Sequence, residues 1–396
     1  MIARAVSDAK PSPSEEALRT AEALRADGID FVLLSSPANV TYAAGLEAPI
    51  QLGPIWEVAS WLPLVLALVS SDGDGVLLAA DAYAGLAERS WFEDVHSFDS
   101  LGHFEALDPP ASFTRALAAA LNDAGVGGRA VIGVEPGLPV LARQVMADEL
   151  PDAEIRDASA SLEGARRIKT AREIALLREA ALVASAAQTR LVELAASSAP
   201  PGSDVDVWIE LLRVMEARTS RHLIVTGELV TGPRTAQLAP GGPVGREVET
   251  GDAGLLDVSP RVDGYWADCT NVVVFGAEPT DDQRRYFDAA RDSCEAAMAT
   301  LRPGAVCSDA AEAVRATMER YGLPVAHYTG HQIGASVNER PRLTVYDHST
   351  VEPGMVFCVE PGAYAGKGGA AGARAEKTVL VTEDGPEILS QFEWGF

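Results

Sequence analysis

Basic charge is scarce in this sequence: 32 Lys and Arg stand against 57 Asp and Glu, giving a formal net charge of −25. A surface of that sign repels a phosphate backbone or an anionic bilayer, which argues against nucleic acid and membrane as partners. Cysteine is scarce too. Cys269, Cys294, Cys307 and Cys358 all lie in the second half and form no Cys-x-x-Cys pair. That leaves no disulfide framework and fits reduced thiols in a cytoplasmic protein. Long apolar runs are missing: the N-terminus lacks a charged start followed by an apolar segment, and residues 61–70 are too few to span a bilayer, so they read as a buried strand. What remains is a chain of 396 residues, 47% hydrophobic and 22% charged, long enough for two domains.

Acids placed beside strands are what the sequence does have. Asp257 ends the apolar run Gly254-Leu255-Leu256, Asp263-Gly264 supplies turn chemistry, and the chain returns through Tyr265 to Asp268 and then Val272-Val273-Val274-Phe275. The two Asp are eleven positions apart, so one hairpin can bring both carboxylates together. Glu360 follows Met355-Val356-Phe357-Cys358-Val359, Glu376 precedes Thr378-Val379-Leu380-Val381, and His331 stands in Gly330-His331-Gln332-Ile333-Gly334. Singly, each has a plain reading as hairpin solvation, strand-end surface or loop. Together they place four carboxylates beside buried strands. An isolated buried charge carries a penalty of roughly several kcal/mol, and two divalent ions would cancel all four. Oxygen-rich ligation with one imidazole suits Mn first, and also Co, Zn or Fe. Paired ions about 3.5–4 Å apart activate a shared water and polarise a carbonyl.

The rest of the chain reads in order. Ser12-Pro13-Ser14-Glu15 predicts a helix with Ser12 as N-cap running toward Asp27, stopped by Gly28. A strand at 30–34, a turn over 35–42 leading to Gly45, and a hairpin of 64–69 with 76–80 follow. A helix at 112–124, a strand at 130–135 and a helix at 139–149 complete an alternating α/β pattern. From Arg166 a long alanine-rich helix is expected to run to about Ser197, broken by Pro200-Pro201-Gly202. A helix over 203–219 has Val207, Leu211, Val214 and Met215 as its core stripe. Helices over 281–301 and 308–321 are divided by Arg302-Pro303-Gly304.

Four segments carry a family resemblance: Gly264-Tyr265-Trp266-Ala267-Asp268-Cys269-Thr270, Gly330-His331-Gln332-Ile333-Gly334, Pro353-Gly354-Met355-Val356 through Glu360-Pro361-Gly362, and Arg374-Ala375-Glu376. In this order they resemble the catalytic domain of the aminopeptidase P, prolidase and creatinase superfamily. Asn39-Val40-Thr41-Tyr42 resembles a segment of that superfamily's N-terminal domain. The resemblance implies a creatinase-like α/β N-terminal domain over 1–163 and an α+β pita-bread catalytic domain over 164–396. It implies that Asp257, Asp268, His331, Glu360 and Glu376 hold two metal ions, with Asp268 and Glu376 bridging. The implied chemistry is attack of a metal-bridged hydroxide on an amide C–N bond. Glu360 would relay the proton, His327 would steady the oxyanion, and Arg374 would orient a ligand carboxylate. An Xaa-Pro peptide is the family's usual substrate. A homodimer is implied as well; Trp56, Trp61 and Trp91 are candidates for the contact, with core packing the alternative reading for at least two of them.

Two departures bear on substrate. Where peptidases have a second histidine in His-Glu-x-Pro, this chain reads Asn338-Glu339-Arg340-Pro341, and asparagine cannot titrate near neutral pH. Thr231-Gly232-Pro233-Arg234-Thr235-Ala236-Gln237 lacks a peptidase histidine and resembles a lyase relative that cleaves dimethylsulfoniopropionate, although Ser259 stands where that relative has an additional Asp. Three function classes follow: an Xaa-Pro peptidase; a small-molecule C–N hydrolase or lyase like creatinase or ectoine hydrolase; and a metal-free binding protein, against which the complete ligand set argues. His96, His103, His222 and His348 are expected to be satisfied or exposed.

Overall fold

The computed structural model describes residues 14–50, 64–100, 106–197, 201–238, 241–369 and 371–396. The chain divides into two compact units, residues 1–166 and 167–396.

The first unit is a six-stranded mixed sheet with helices. Its strands are β1 (Phe31–Leu34), β2 (Val65–Ser70), β3 (Gly75–Ala80), β4 (Asp94–Phe98), β5 (Val131–Val134) and β6 (Glu154–Asp157), in spatial order β4-β3-β2-β1-β5-β6. The predicted hairpin is β2 with β3, antiparallel from Val65↔Ala79 to Val69↔Gly75, while β5 and β6 run parallel to β1 and to each other. Around them lie α1 (Glu15–Ala26), α2 (Pro37–Ala44), α3 (Pro109–Asp123), α4 (Val140–Glu149) and α5 (Ser159–Arg167). Val32, Leu34, Leu66, Leu77, Phe113 and Ile132 pack as one core.

Two expectations for this unit need correction. The cap of α1 is Ser14, whose Oγ accepts from the Ala17 N–H at 3.0 Å; Ser12 and Pro13 lie outside the described residues. The segment after β1 is a helix and not a turn. Ser36 caps it, Pro37 opens it and Gly45 closes it in the left-handed region. The Asn-x-x-Tyr segment thereby gains a physical role: Asn39 Nδ2 donates to Glu135 at 2.6 Å and Tyr42 donates to the Ala165 carbonyl at 2.7 Å. Trp91 donates to the Ala43 carbonyl, while Trp56 and Trp61 lie outside the described residues.

The second unit opens with α6 (Ala171–Ala195) and α7 (Asp204–Thr219). The continuous helix expected from Arg166 is interrupted, because Thr170 and Glu173 form a reciprocal capping box that starts α6 afresh. Then come β7 (Ile224–Thr231), β8 (Ala253–Val262), β9 (Tyr265–Trp266) and β10 (Cys269–Val274), with β8 between β10 and β7. After α8 (Asp281–Thr300) and α9 (Cys307–Arg320) follow β11 (Gly330–Gln332), β12 (Glu339–Leu343), β13 (Val356–Val359), β14 (Gly362–Tyr364), β15 (Gly372–Arg374), β16 (Lys377–Thr382) and β17 (Gly385–Ile388). A second sheet has the order β12-β11-β13-β16-β17, and β14 pairs with β15 as a ribbon. This is the α+β pita-bread architecture, with helices against antiparallel sheets. Phe287, Phe357, Val359 and Val379 pack in one core, and Leu191, Val207, Leu211 and Leu256 in another.

Candidate metal centre

Each sequence-predicted acid sits on a strand or at its end, and the strands meet. Asp257 lies within β8, Asp268 just before β10, Glu360 just after β13 and Glu376 just before β16; His331 is the middle residue of β11. The hairpin that joins β8 to β9 turns at Asp263 and Gly264, both with positive φ (50° and 86°), as a two-residue reverse turn requires. Register then pairs Asp257 with Thr270. Gly330, next to His331, is fixed by close approach: a methyl there would meet the Cys358 carbonyl oxygen at 2.0 Å. From α6, the buried Gln188 amide donates to the carbonyls of Leu256 (3.1 Å) and Cys269 (2.8 Å), the neighbours of Asp257 and Asp268.

Potential ligand atoms of Asp257, Asp268 and Glu376 lie within 4.8 Å of one another. Glu376 also belongs to a second such group with His331 and Cys358. His331 Nε2 stands 3.3 Å from Glu360 Oε1 and 3.9 Å from Asp268 Oδ2. Its Nδ1 faces the Gln332 carbonyl at 2.9 Å, which directs Nε2 to the carboxylates. All five predicted residues are therefore brought to one place, with Glu376 and Asp268 in its middle.

The electrostatics are those of too many buried anions. Burial, with Glu376 and Asp257 adding repulsion, holds the Asp268 carboxyl well above its usual range; burial, with Asp257 and Glu360, does the same to Glu376. Glu360 goes the other way: burial pushes it up, but the His331 imidazole, Arg374 and His327 together bring it below its usual value. Burial lowers His331, and the neighbouring Glu360 and Asp268 more than restore it. Glu360 Oε1 and Glu376 Oε1 are buried without a hydrogen-bond donor among the described residues. Buried carboxylate oxygens without donors, gathered with an imidazole nitrogen, fit divalent cations and little else.

Arg374 ties the surroundings together. Its Nη2 donates to Asp257 Oδ2 (2.5 Å) and Glu228 Oε2 (3.0 Å), its Nη1 to the Tyr364 hydroxyl (3.2 Å) and its Nε to Thr270 Oγ1 (3.3 Å). Thr270 in turn donates to Glu376 Oε2 at 2.7 Å, and Ser259 donates to Asp268 Oδ1 at 2.9 Å. His327 joins through its Nε2, 3.5 Å from the Tyr364 hydroxyl, with its Nδ1 on the Tyr328 carbonyl at 2.9 Å. Burial lowers the His327 pKa and pushes the Tyr364 phenol up to about 12. Asn338 spans Tyr328 and Arg342: its amide donates to the Tyr328 hydroxyl (3.3 Å) and its Oδ1 accepts from Arg342 Nε (3.2 Å). Arg234 of the Gly-Pro-Arg-Thr segment is directed elsewhere, pairing with Asp204 at 3.5 Å.

Glu228 and Cys358 were not singled out from the sequence. Glu228 sits on β7, whose Thr226-Gly227-Glu228 lacks a clean apolar alternation; the only signal is its register opposite Asp257. Cys358 lies within a strand buried on both faces, and only its pairing with His331 brings it near. Burial pushes its thiol up, so it stays neutral. Of the remaining histidines, His96 faces Asp123, His222 faces Glu216 and His348 faces Ser308, while His103 lies outside the described residues.

The chain was compared with known proteins. The profile for the creatinase/prolidase N-terminal domain matches residues 18–168. An Xaa-Pro dipeptidase of Pyrococcus furiosus is 31% identical over 150 residues, which is 37% of this chain and 42% of that protein. The chain thus spans about two fifths of the length of this curated relative. An uncharacterized peptidase of Bacillus subtilis is 31% identical over 243 residues, 61% of this chain and 67% of that one. Among solved structures, the prolidase of Pyrococcus horikoshii superposes with a TM-score of 0.76 at 23% identity, covering 96% of this chain and 99% of that one. The X-Pro aminopeptidase of Thermotoga maritima gives a TM-score of 0.77 at 22% identity, over 95% and 98% of the two chains. These superpositions establish the fold. The profile of metallopeptidase family M24 matches residues 175–383, more than half of the sequence, and the chain belongs to that family.

Proposed function

We propose that the protein is a metal-dependent hydrolase of amide C–N bonds, with Xaa-Pro dipeptides as its first substrate class. One observation carries this reading: four carboxylates and His331 converge with two buried carboxylate oxygens that have no donor among the described residues. Asp257, Asp268, His331, Glu360 and Glu376 would hold two divalent ions, manganese first. Such ions supply an activated water and polarise the scissile carbonyl.

The protein's own groups do the rest. Glu360, kept ionised by His331 and Arg374, accepts and relays the proton. His327 has its Nδ1 proton on the Tyr328 carbonyl, so its neutral Nε2 is an acceptor. Arg374 donates to the Tyr364 oxygen, which turns that hydroxyl's proton toward His327 Nε2. The role assigned to His327 in steadying a developing oxyanion therefore belongs to its protonated form, in which Nε2–H becomes a donor. Thr270 and Arg374 hold Glu376 and Asp257 in place.

The reading takes 163/164 as the domain boundary, three residues before the division between the compact units, and includes a cytoplasmic homodimer. No helix among the described residues is long and apolar enough to cross a membrane. Proline release from an Xaa-Pro dipeptide panel by manganese-loaded protein tests the function, with Glu376→Ala as control. Asn338, already bonded to Tyr328 and Arg342, favours the second reading of a non-peptide small-molecule substrate. Protein that holds metal and releases no proline would select it.

A further inference from the structure

β7 brings one more carboxylate to the same centre. Glu228 stands directly opposite Asp257 in the β7–β8 register, so both side chains leave the sheet on one face. Both accept from Arg374 Nη2.

A counter-ion for Arg374 alone would be expected to engage the guanidinium with both oxygens. The molecule makes such two-pronged pairs elsewhere: Asp252 takes Arg246 on Oδ1 and Oδ2, and Glu387 takes Arg178 on Oε1 and Oε2. Glu228 does not. Only Oε2 is engaged, Oε1 accepts nothing among the described residues, and the side chain is 20% exposed against 6% for Arg374. Asp257 and the Tyr364 hydroxyl share the same guanidinium, so Glu228 lies at the edge of the centre. A carboxylate oxygen left open beside a reaction centre selects a positive partner.

We infer that Glu228 Oε1 receives a cationic group of the substrate, an ammonium carried on the acyl side of the scissile bond, and so sets a preference for amine-bearing over neutral substrates. This rests on the amide-cleaving reading of the site.

The test is calorimetric binding of two non-cleavable, metal-chelating probes to manganese-loaded protein at pH 6.5, where an α-amino group is protonated. Alanine hydroxamate and propionohydroxamate differ only in the α-ammonium. The wild type should bind the alanine compound more tightly by roughly ten- to a hundredfold, the range of a charge-assisted hydrogen bond. Glu228→Gln should lose that preference while keeping its metal and its affinity for propionohydroxamate. An equal preference in both proteins, or none in the wild type, overturns the inference. So does loss of metal or of propionohydroxamate binding in Glu228→Gln, which would make Glu228 a structural counter-ion of Arg374. Failure of the dipeptide panel with the hydroxamate preference intact would count against the Xaa-Pro substrate and leave the role of Glu228 standing.

Discussion

Thr270 Oγ1 accepts from Arg374 and donates to Glu376, so one hydroxyl fixes the orientation of two groups at the centre. Thr270→Val keeps the shape and removes both bonds. We expect metal affinity or turnover to fall roughly ten- to a hundredfold, the usual effect of losing a partner behind a ligand. Metal titration beside a thermal melt checks this, and unchanged affinity would contradict it. The five converging residues were legible in the sequence because each is a polar residue attached to an apolar strand segment, which few surface acids are. Glu228 was not, since its place depends on strand register across β7 and β8, a long-range property that local pattern does not carry. The same holds for Cys358, brought beside His331 only by pairing.

Gln188 shows how a helix fixes the hairpin. Its amide spans β8 and β10 at the carbonyls beside Asp257 and Asp268. Gln188→Leu leaves two buried carbonyls without that donor, and a loss of about 1–3 kcal/mol is expected in urea denaturation. A midpoint equal to wild type would refute the assignment. A second buried tie joins Lys169 to Glu339 at 3.1 Å and to Gln332 at 2.6 Å, next to His331. Lys169→Met should cost about 3–5 kcal/mol, because it takes the Lys169 ammonium away from a buried carboxylate; a surface-like loss below about 1 kcal/mol would contradict that. Most helices and the β2–β3 hairpin were legible from periodicity and turn residues. The misses have local causes. Ser12 and Ser14 both offer cap chemistry to α1, and Ser36-Pro37, which caps and opens α2, equally suits the turn expected there. The break before α6 depends on the Thr170–Glu173 capping box, which the helix-forming residues on either side conceal.

At the scale of the whole molecule, an acidic chain keeps further acids buried at its centre. Asp268 and Glu376 have reference values of 3.8 and 4.5 and sit well above them in the folded protein. Above those values the native state holds more protons than the unfolded chain, so stability of the metal-stripped protein falls as pH rises through the window that begins there. Melting of stripped protein at pH 5 and pH 8 should show this, and Glu376→Gln should show a shallower decline; identical declines would contradict the cause. Metal should restore stability most at the higher pH, where the carboxylates are ionised. The measurement that reaches the central claim most directly is metal content per chain alongside proline release, for wild type and Glu376→Ala. About two divalent ions in the wild type, with both metal and turnover lost in the variant, is the expected result. Undiminished proline release from Glu376→Ala, or a wild type that takes up no metal, would contradict it.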